Sequence, residues 1–294
     1  MAIANSQTSS TAAPLINTEW IDAAVRMGPR TPKLFPNLVR TPTLTTTKRY
    51  TVTTRTQFSA ASAYTETDDV ASALSTPTAV NVDTALYAKG AFLSDWGAGL
   101  SNQNEVMIAT MEVIESLYLR IETDVLATAS SMTNSTGSAA TINSVDNFVA
   151  TTAAVRAQTK ANGSAPLMVM SASAFTQLLG DVMSGGATIF SSSVGPQLTG
   201  ILQGANLAQW GAFGGYMLTS SDLMPAADTT GKASMIVCPP IDDKTNGLVV
   251  PFSRVPQIET QRAARNIGLW VVGHVAMTAG IAEQARCYTF ATAA

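Results

Sequence analysis

The sequence predicts an α+β fold in which a long two-stranded ribbon extends from a body of helices and strands. Three observations predict it: a threonine-rich stretch with strong strand propensity, one unusually long amphipathic helix, and a mostly strand-like C-terminal fifth. The 294 residues are enough for one large or two ordinary domains, and 46% of them are hydrophobic, which suffices for a real core.

The first 42 residues are predicted to form an extended N-terminal arm. Residues 1–14 are small and polar, and residues 28–42 carry four prolines, each of which fixes its own φ and favours an extended predecessor. Residues 18–27 could form a short helix with Thr18 as its N-cap, whereas no regular secondary structure is expected for residues 28–42. The apolar side chains of this arm therefore need a partner, either the long helix or a neighbouring subunit. They are Leu34, Phe35, Leu38 and Val39.

Residues 41–58 read TPTLTTTKRYTVTTRTQF, and nine of the first sixteen are threonine, a strong strand former. Residues 79–89 alternate apolar and polar side chains with period two, which is typical of a half-buried partner strand. The residues between these strands are too small and polar to form a core. We therefore predict an extended two-stranded loop over residues 43–90 that is ordered by packing on another subunit, because an isolated ribbon is only marginally stable.

The clearest helix pattern runs over residues 102–128, a rod about 40 Å long. Its apolar stripe recurs at alternating steps of four and three, as in an amphipathic helix. The stripe consists of Met107, Met111, Ile114, Tyr118, Ile121 and Val125, widened by Val106, Val113, Leu117 and Leu126. The opposite face is predicted to be solvated and carries Glu105, Glu112, Glu115, Arg120 and Glu122.

Strands and helices alternate after residue 142, which favours a mixed α/β layer. Residues 143–161 predict a second helix and residues 167–170 a short buried strand, after which a third helix begins with Ser171 as its cap. The remaining predicted strands cover residues 216–221, 234–240, 247–252, 254–263, 267–280 and 285–292. The three strands between residues 247 and 280 are expected to form one antiparallel run.

Residues suited to catalysis, metal binding or cofactor binding are scarce. His274 is the single histidine and is expected to be structural, while Cys238 and Cys287 are expected to be buried free thiols. The acidic pairs at 68–69 and 242–243 would point apart on a strand, and no glycine pattern matches a phosphate-binding loop. We therefore predict no catalytic, metal or cofactor site, and no enzymatic activity.

Charge and hydropathy argue against a protein that grips nucleic acid, a secreted protein and a membrane-spanning protein. Only 13% of the residues are charged, which favours a surface covered by neighbours, and the net charge of −3 offers no dense patch for nucleic-acid phosphates. The N-terminus lacks the charged and apolar regions of a secretory signal, and no apolar run is as long as a membrane span requires.

The order of arm, extended loop, long helix, α/β layer and returning strands resembles the major capsid protein of tailed bacteriophages, whose fold also builds encapsulin nanocompartments. Two segments are most similar to that family: Gly214 to Pro225 (GGYMLTSSDLMP), and Ile258 to Phe290 with its R-x-x-R-N-x-G-L-W-V-V-G-H run and closing A-G-I-A-E strand. The resemblance covers nearly the whole chain and depends on element order rather than on an invariant motif.

The resemblance implies the tailed-phage major capsid fold. Its parts would be an N-terminal arm (1–42), an extended β-hairpin loop (43–90), a peripheral domain with the spine helix (91–142 and 246–280) and a mixed α/β axial domain (143–245 and 281–294). It implies a protein of the virion that assembles in the host bacterial cytoplasm into an icosahedral shell around double-stranded DNA. The implied partners are copies of itself in hexamers and pentamers, a portal, separate scaffolding or decoration proteins, and DNA through weak non-specific contact.

The same resemblance places the extended loop across the peripheral domain of an adjacent subunit. The charges of the loop agree with a head-to-tail ring, because opposite signs lie at opposite ends. The predicted interface residues are Lys48, Arg49 and Arg55 near its base, Glu66, Asp68 and Asp69 at its tip, and Phe35 and Leu38 of the arm. The alternatives are a solvated hairpin with scattered charge and, for the whole chain, an encapsulin shell or a Thr/Ser-rich surface adhesin.

Overall fold

The computed structural model describes residues 34–45, 47–55, 77–95, 105–136, 155, 166–176, 180, 211–213, 216–224, 232–238, 247–263 and 267–291. The predictions for residues 1–33, for the tip of the extended loop and for most of the second helix lie outside these residues.

The helices are α1 (Phe35–Leu38) and α2 (Glu105–Ala127), with 3-10 turns at Thr128–Ser131 and Gln284–Arg286. The strands are β1 (Arg49–Arg55), β2 (Pro77–Asp83), β3 (Ala85–Ser94), β4 (Asn134–Thr136), β5 (Leu167–Met170), β6 (Gly211–Phe213), β7 (Tyr216–Ser220), β8 (Lys232–Val237), β9 (Leu248–Val249), β10 (Phe252–Ala263), β11 (Gly268–Met277), β12 (Gly280–Ile281) and β13 (Cys287–Ala291). Residues 172–176 are also helical, and the Ser171 hydroxyl accepts the Ala174 N–H at 3.2 Å, as predicted for a capping serine.

Helix α2 is the predicted spine, and its apolar stripe lies in the core of the chain. The buried apolar side chains of the helix are Ala109, Val113, Ile114, Leu117, Ile121, Val125 and Leu126. The prediction that Glu122 lies on the solvated face of the helix is wrong, because this residue is only 5% exposed. Both of its carboxylate oxygens lie within hydrogen-bond distance of the Leu34 main-chain N–H, at 3.1 and 3.2 Å.

A three-stranded antiparallel sheet in the order β10–β11–β3 packs on α2. Gly273 of β11 allows a close approach, since a Cβ there would lie 2.5 Å from Val113 Cγ1 and 2.9 Å from Leu117 Cδ1. The prediction of a three-strand run between residues 247 and 280 is therefore right for β10 and β11 and wrong for the third strand. That strand is β3, while β9 pairs with β12.

The predicted strand over residues 79–89 is also corrected, because it consists of two strands that meet at Thr84. β2 pairs with β1, whereas β3 pairs with β11 in the three-stranded sheet. Period-two alternation indicates which face a side chain occupies, but it does not identify the strand with which a residue pairs.

A six-stranded mixed sheet follows the order β4–β13–β8–β5–β7–β6. β4 is parallel to β13 and β5 is parallel to β7, while the other neighbours are antiparallel. Its inner strands are almost fully buried, with Met168, Val169, Met235 and Ile236 each at 0% exposure. This is the mixed α/β layer that the sequence predicts.

Residues 34–44 pack against the body of their own chain. α1 is a single helical turn where no regular structure is predicted. Its last residue, Leu38, and the flanking Leu34 and Val39 join the main buried cluster with Ile121 of the spine. Residues 40–44 then run beside residues 248–252 through main-chain hydrogen bonds of 2.7–3.2 Å. Of the two partners predicted for the arm, the spine helix is the one that these residues contact.

Candidate assembly surface

We call residues 49–83 the finger: β1, β2 and the segment between them. The two strands pair antiparallel over seven residues, from Arg49 opposite Asp83 to Arg55 opposite Pro77. At ~3.3 Å per residue this ladder extends about 20 Å from the body of the chain.

The root of the finger is held by a small apolar cluster. Val82 is buried with Val249 and Ala282, and Tyr50 and Val52 of β1 pack partly against them. A Cβ at residue 280 would lie 2.6 Å from Val82 Cγ2, so glycine at this position leaves the space that Val82 fills. This cluster is the only buried apolar cluster that the described part of the finger shares with the body.

The other face of the finger is polar and exposed. The Arg49 side chain donates to both carboxylate oxygens of Asp83, at 2.6 and 2.9 Å, and the Thr51 hydroxyl donates to Asn81 Oδ1 at 2.8 Å. The hydrogen bond from Arg49 lowers the pKa of Asp83, and the same bond raises the pKa of Arg49. Cross-strand pairs therefore fix this face within one chain.

Thr84 joins the finger to the three-stranded sheet. Its N–H and its hydroxyl both donate to the Lys48 carbonyl, at 2.8 and 3.0 Å, and the hydroxyl oxygen lies 2.9 Å from Ser253 Oγ. The next residue, Ala85, donates its N–H to Thr278 Oγ1 at 3.1 Å. These bonds fix the position at which the chain leaves the finger.

Beside this junction lies an open groove of about 390 Å³. Lys48 and Arg254 bring positive charge to its lining, and Leu44 and Leu86 bring apolar surface. Leu86 is 66% exposed. The groove thus combines two cationic side chains with a large apolar side chain, Leu86, that is mostly exposed.

Exposed apolar side chains continue from the groove along the same sheet. Phe92 of β3 lies opposite Trp270 of β11, with ring centroids 5.0 Å apart, and both rings are more than a third exposed. Ile267, just before β11, is 66% exposed. A cluster of this kind costs free energy in water and favours contact with another molecule.

The residues that the sequence offers for catalysis or metal binding are packed within the fold. The His274 side chain is nearly buried, with Nε2 3.3 Å from Gln257 Oε1. Cys238 and Cys287 are buried free thiols, as predicted, and burial raises the pKa of both, that of Cys238 to about 11. Within the described ranges no three metal-ligating side chains gather into a site, and no helix there has the length and hydropathy of a membrane span.

The predicted interface residues lie in different surroundings, and their role in an interface stays a prediction. Leu38 is 1% exposed and packs inside its own subunit, and Arg49 pairs with Asp83 of its own finger. Lys48 lines the groove. The side chains of Phe35 and Arg55 lie outside the described structure, as do three whole residues, Glu66, Asp68 and Asp69.

Sequence reasoning missed Arg254 and Leu86 as candidate interface residues. Arg254 lies near the start of β10 and Leu86 near the start of β3; with Lys48 before β1 and Ala276 of β11, the groove combines four separate parts of the chain. No local pattern connects these positions. The only available signal was that Leu86 falls within the stretch predicted as a partner strand.

Comparison with solved structures identifies the fold. The chain is similar to the capsid protein of the cyanophage P-SCSP1u, with a TM-score of 0.65 and 11% identity over 90% of this chain and 89% of that chain. It is similar to the capsid of the native GTA particle, with a TM-score of 0.61 and 12% identity over 99% and 100%. A third similar structure is the virus-like particle from Pyrococcus furiosus, with a TM-score of 0.57 and 10% identity over 92% and 96%.

No protein-family model and no curated protein sequence matches the chain. The structural likeness nevertheless covers nearly the whole chain, so the fold is that of the phage capsid shells. This confirms the fold class that the sequence predicts.

Proposed function

We propose that this chain is the major capsid protein of a tailed bacteriophage, and that it self-assembles into the icosahedral shell around the double-stranded DNA genome. The observation that carries the proposal is the extent of the match to capsid shells, 90% of this chain for the cyanophage and 99% for the GTA particle. A fold shared over this length leaves little of the described chain to form a separate functional domain.

The uneven burial of the chain also supports a role among copies of itself. The body has a large buried core, whereas the described strands of the finger contribute only to a small cluster at its root. A two-stranded ribbon of this length is marginally stable alone. Contact with a neighbouring subunit would cover both the finger and the exposed apolar side chains of the three-stranded sheet.

The domain plan is part of the proposal. The peripheral domain contains α2 with the sheet of β3, β10 and β11, and the axial domain contains the six-stranded sheet. We place the boundary between finger and peripheral domain at Thr84 rather than at residue 90, because β3 pairs within the peripheral sheet. Strand β4 belongs with the axial domain, because it pairs with β13.

Copies in hexamers and pentamers are the proposed partners, together with a portal and separate scaffolding or decoration proteins. Contact with packaged DNA is proposed to be weak and non-specific, because the net charge of −3 offers few cations for phosphates. The proposed location is the virion, after assembly in the host bacterial cytoplasm. No catalytic step is part of this role.

A second candidate is the shell of an encapsulin-type nanocompartment. It stays an alternative because 92% of this chain also aligns with the virus-like particle from Pyrococcus furiosus, a likeness that does not distinguish the two kinds of shell. The phage shell is the first candidate, because the capsid structures of the cyanophage P-SCSP1u, bacteriophage PhiM1 and Ralstonia phage GP4 each match 90% of this chain.

Sedimentation velocity and electron microscopy of the purified full chain test the proposal. Large closed shells of phage size are expected for the major capsid protein. Small shells that enclose protein cargo would favour the nanocompartment. A chain that remains a monomer or trimer at high concentration, with or without co-expressed scaffold, would contradict both.

A further inference from the structure

Strand β3 forms one edge of the three-stranded sheet, and in the described part of the chain only β11 pairs with it. None of its ten residues is buried. Asp95 donates its N–H to the Ile267 carbonyl at 3.0 Å, one step beyond the last pair of this ladder, Ser94 opposite Gly268. Because the hydrogen bonds of an antiparallel pair alternate, the even-numbered residues of β3 direct their N–H and C=O groups away from β11. A further strand can therefore bind along this edge.

The opposite edge of the same sheet, β10, is protected against such binding. Pro256 lies within it and has no N–H, and its ladder has register shifts between residues 252 and 254 and between residues 254 and 257. β3 has no proline, no register shift and a single charged side chain, Lys89. Long regular edges bind further strands unless proline, charge or a bulge prevents it. Of the two edges, β3 is the one that is open to a partner.

We propose that β3 pairs antiparallel with β3 of a second copy of this chain, on a two-fold axis through Gly90, an inference that rests on the proposed shell function. An icosahedral shell contains two-fold axes, and a contact across such an axis uses the same surface of both copies. The pair joins two three-stranded sheets into one sheet of six strands. Because a strand cannot pair with itself within one chain, the partner is a second copy.

Geometry and charge place the axis at Gly90. The two-fold axis of an antiparallel pair is perpendicular to the sheet and leaves each side chain on its own face, so it passes through one residue, which lies opposite its own copy. An axis through Lys89 sets two cations opposite each other, which is destabilising. An axis through Gly90 pairs residues 86–94 of the two copies and sets Lys89 opposite Ala91. An axis elsewhere in the strand gives a shorter ladder.

The side chains of both faces fit this register. On the face that carries Trp270, two glycines meet at the axis and the small Ala88 lies opposite Phe92 of the second copy. Phe92 is 37% exposed in the subunit, so this contact covers apolar surface. On the face towards the spine, Tyr87 lies opposite Leu93, an aromatic–apolar pair of the kind that stabilises sheets.

Cysteine cross-linking of the full chain tests the pairing and its register. Gly90→Cys places two thiols opposite each other, with Cα atoms about 5.5 Å apart, within the range of a disulfide. Lys89→Cys is the matched control, because in this register its two copies are about 8 Å apart. With oxidised glutathione, we expect Gly90→Cys to give at least about fivefold more covalent dimer than Lys89→Cys on a non-reducing gel. The native cysteines are buried and supply the background, measured in the wild-type chain.

Cross-linking through Lys89→Cys and not through Gly90→Cys would overturn the axis at Gly90. If neither variant is linked in assembled particles, the pairing itself is overturned.

Like charges at the axis provide a second test. Gly90→Lys and Gly90→Glu are each expected to lower the assembled fraction about fivefold or more in sedimentation velocity. The subunit accommodates a side chain here, because a Cβ at Gly90 would lie 3.5 Å from Val272 Cγ2 and 3.7 Å from Trp270 Cε3; circular dichroism checks the fold. Ala88→Lys is the control, since it adds the same cation on the same face but opposite Phe92, and its assembled fraction should stay within about twofold of wild type.

Mixing the two charged variants tests whether residue 90 faces its own copy. An equimolar mixture brings lysine opposite glutamate at part of the two-fold contacts, and the assembled fraction should exceed that of either variant by about twofold or more. An assembled fraction no larger than that of the single variants would overturn the axis through Gly90.

The outcomes separate this inference from the proposed function. Gly90→Cys dimers, without shells in the wild-type chain, would support the pairing and contradict the shell function. Wild-type shells, with no cross-link through Gly90→Cys and with like charges tolerated at residue 90, would overturn the pairing and leave the shell function standing.

Discussion

Val82 of the finger fills the space above Gly280 of the body, where a Cβ would lie 2.6 Å from Val82 Cγ2 and 3.1 Å from Val82 Cγ1. Val82 is β-branched and has little freedom to move away. It is also buried with Val249 and Ala282, so these contacts fix the root of the finger to the body.

Replacing Gly280 by alanine is therefore expected to strain the root of the finger and to lower the free energy of unfolding by about 1–3 kcal/mol. Urea unfolding of the dissociated subunit measures the change. Gly90→Ala is the control, because a Cβ there meets only ordinary contacts of 3.5 Å and more. Adding Val82→Ala should recover part of the loss; strictly additive losses would show that the two residues do not compete for space.

The carboxylate of Glu122 fixes the N-terminal segment to the spine through the Leu34 N–H. Glu122→Gln replaces one acceptor oxygen by a donor at a buried position, and we expect a loss of about 1–3 kcal/mol in the free energy of unfolding. Glu112→Gln, on the exposed face of the same helix, should change stability by less than about 0.5 kcal/mol. Equal effects of the two substitutions would contradict this role of Glu122.

Substitutions of two leucines are expected to have different effects, one on the stability of the subunit and the other on assembly. Leu38 is 1% exposed in the main core, so Leu38→Ala is expected to cost about 2–5 kcal/mol in the free energy of unfolding. Leu86 is 66% exposed beside the groove, so Leu86→Ala should leave subunit stability nearly unchanged and lower the yield of shells. Thermal unfolding and sedimentation of both variants measure these effects, and the reverse pattern would assign Leu86 to the core.

Burial raises the pKa of Cys238 from 9.0 to about 11, and it also raises the pKa of Cys287. The folded chain therefore favours the protonated thiols, and this contribution to stability is complete below about pH 9 and is lost as the pH rises towards 11. Urea unfolding at increasing pH should show a decline that is smaller in Cys238→Ala. Both thiols should also resist a thiol reagent at neutral pH until the chain unfolds; rapid labelling of the folded subunit would contradict their burial.

The spine was the most predictable element of the sequence. Its apolar periodicity over residues 102–128 is local information, and α2 occupies residues 105–127. Glu122 could not be placed correctly in the same way. Its burial depends on the Leu34 N–H, which lies 88 residues away in the chain.

The assembly surface was less predictable, because it depends on pairings between distant segments. Period two predicted strand structure over residues 79–89, but the change of partner at Thr84 follows from hydrogen bonds with Lys48 and Ser253. The sequence predicted the adjacent Lys48 and Arg49 as equivalent interface residues. In the structure Asp83 forms an ion pair with Arg49 and not with Lys48. Arg254 joins Lys48 only when β10 is folded beside the finger.

The most direct test of the proposed function is a cryo-electron microscopy reconstruction of the particles formed by the full chain. We expect a closed icosahedral shell in which residues 49–83 of each subunit lie across the peripheral sheet of the next subunit. A chain that forms no closed particle, or a shell in which each finger contacts only its own subunit, would contradict the account.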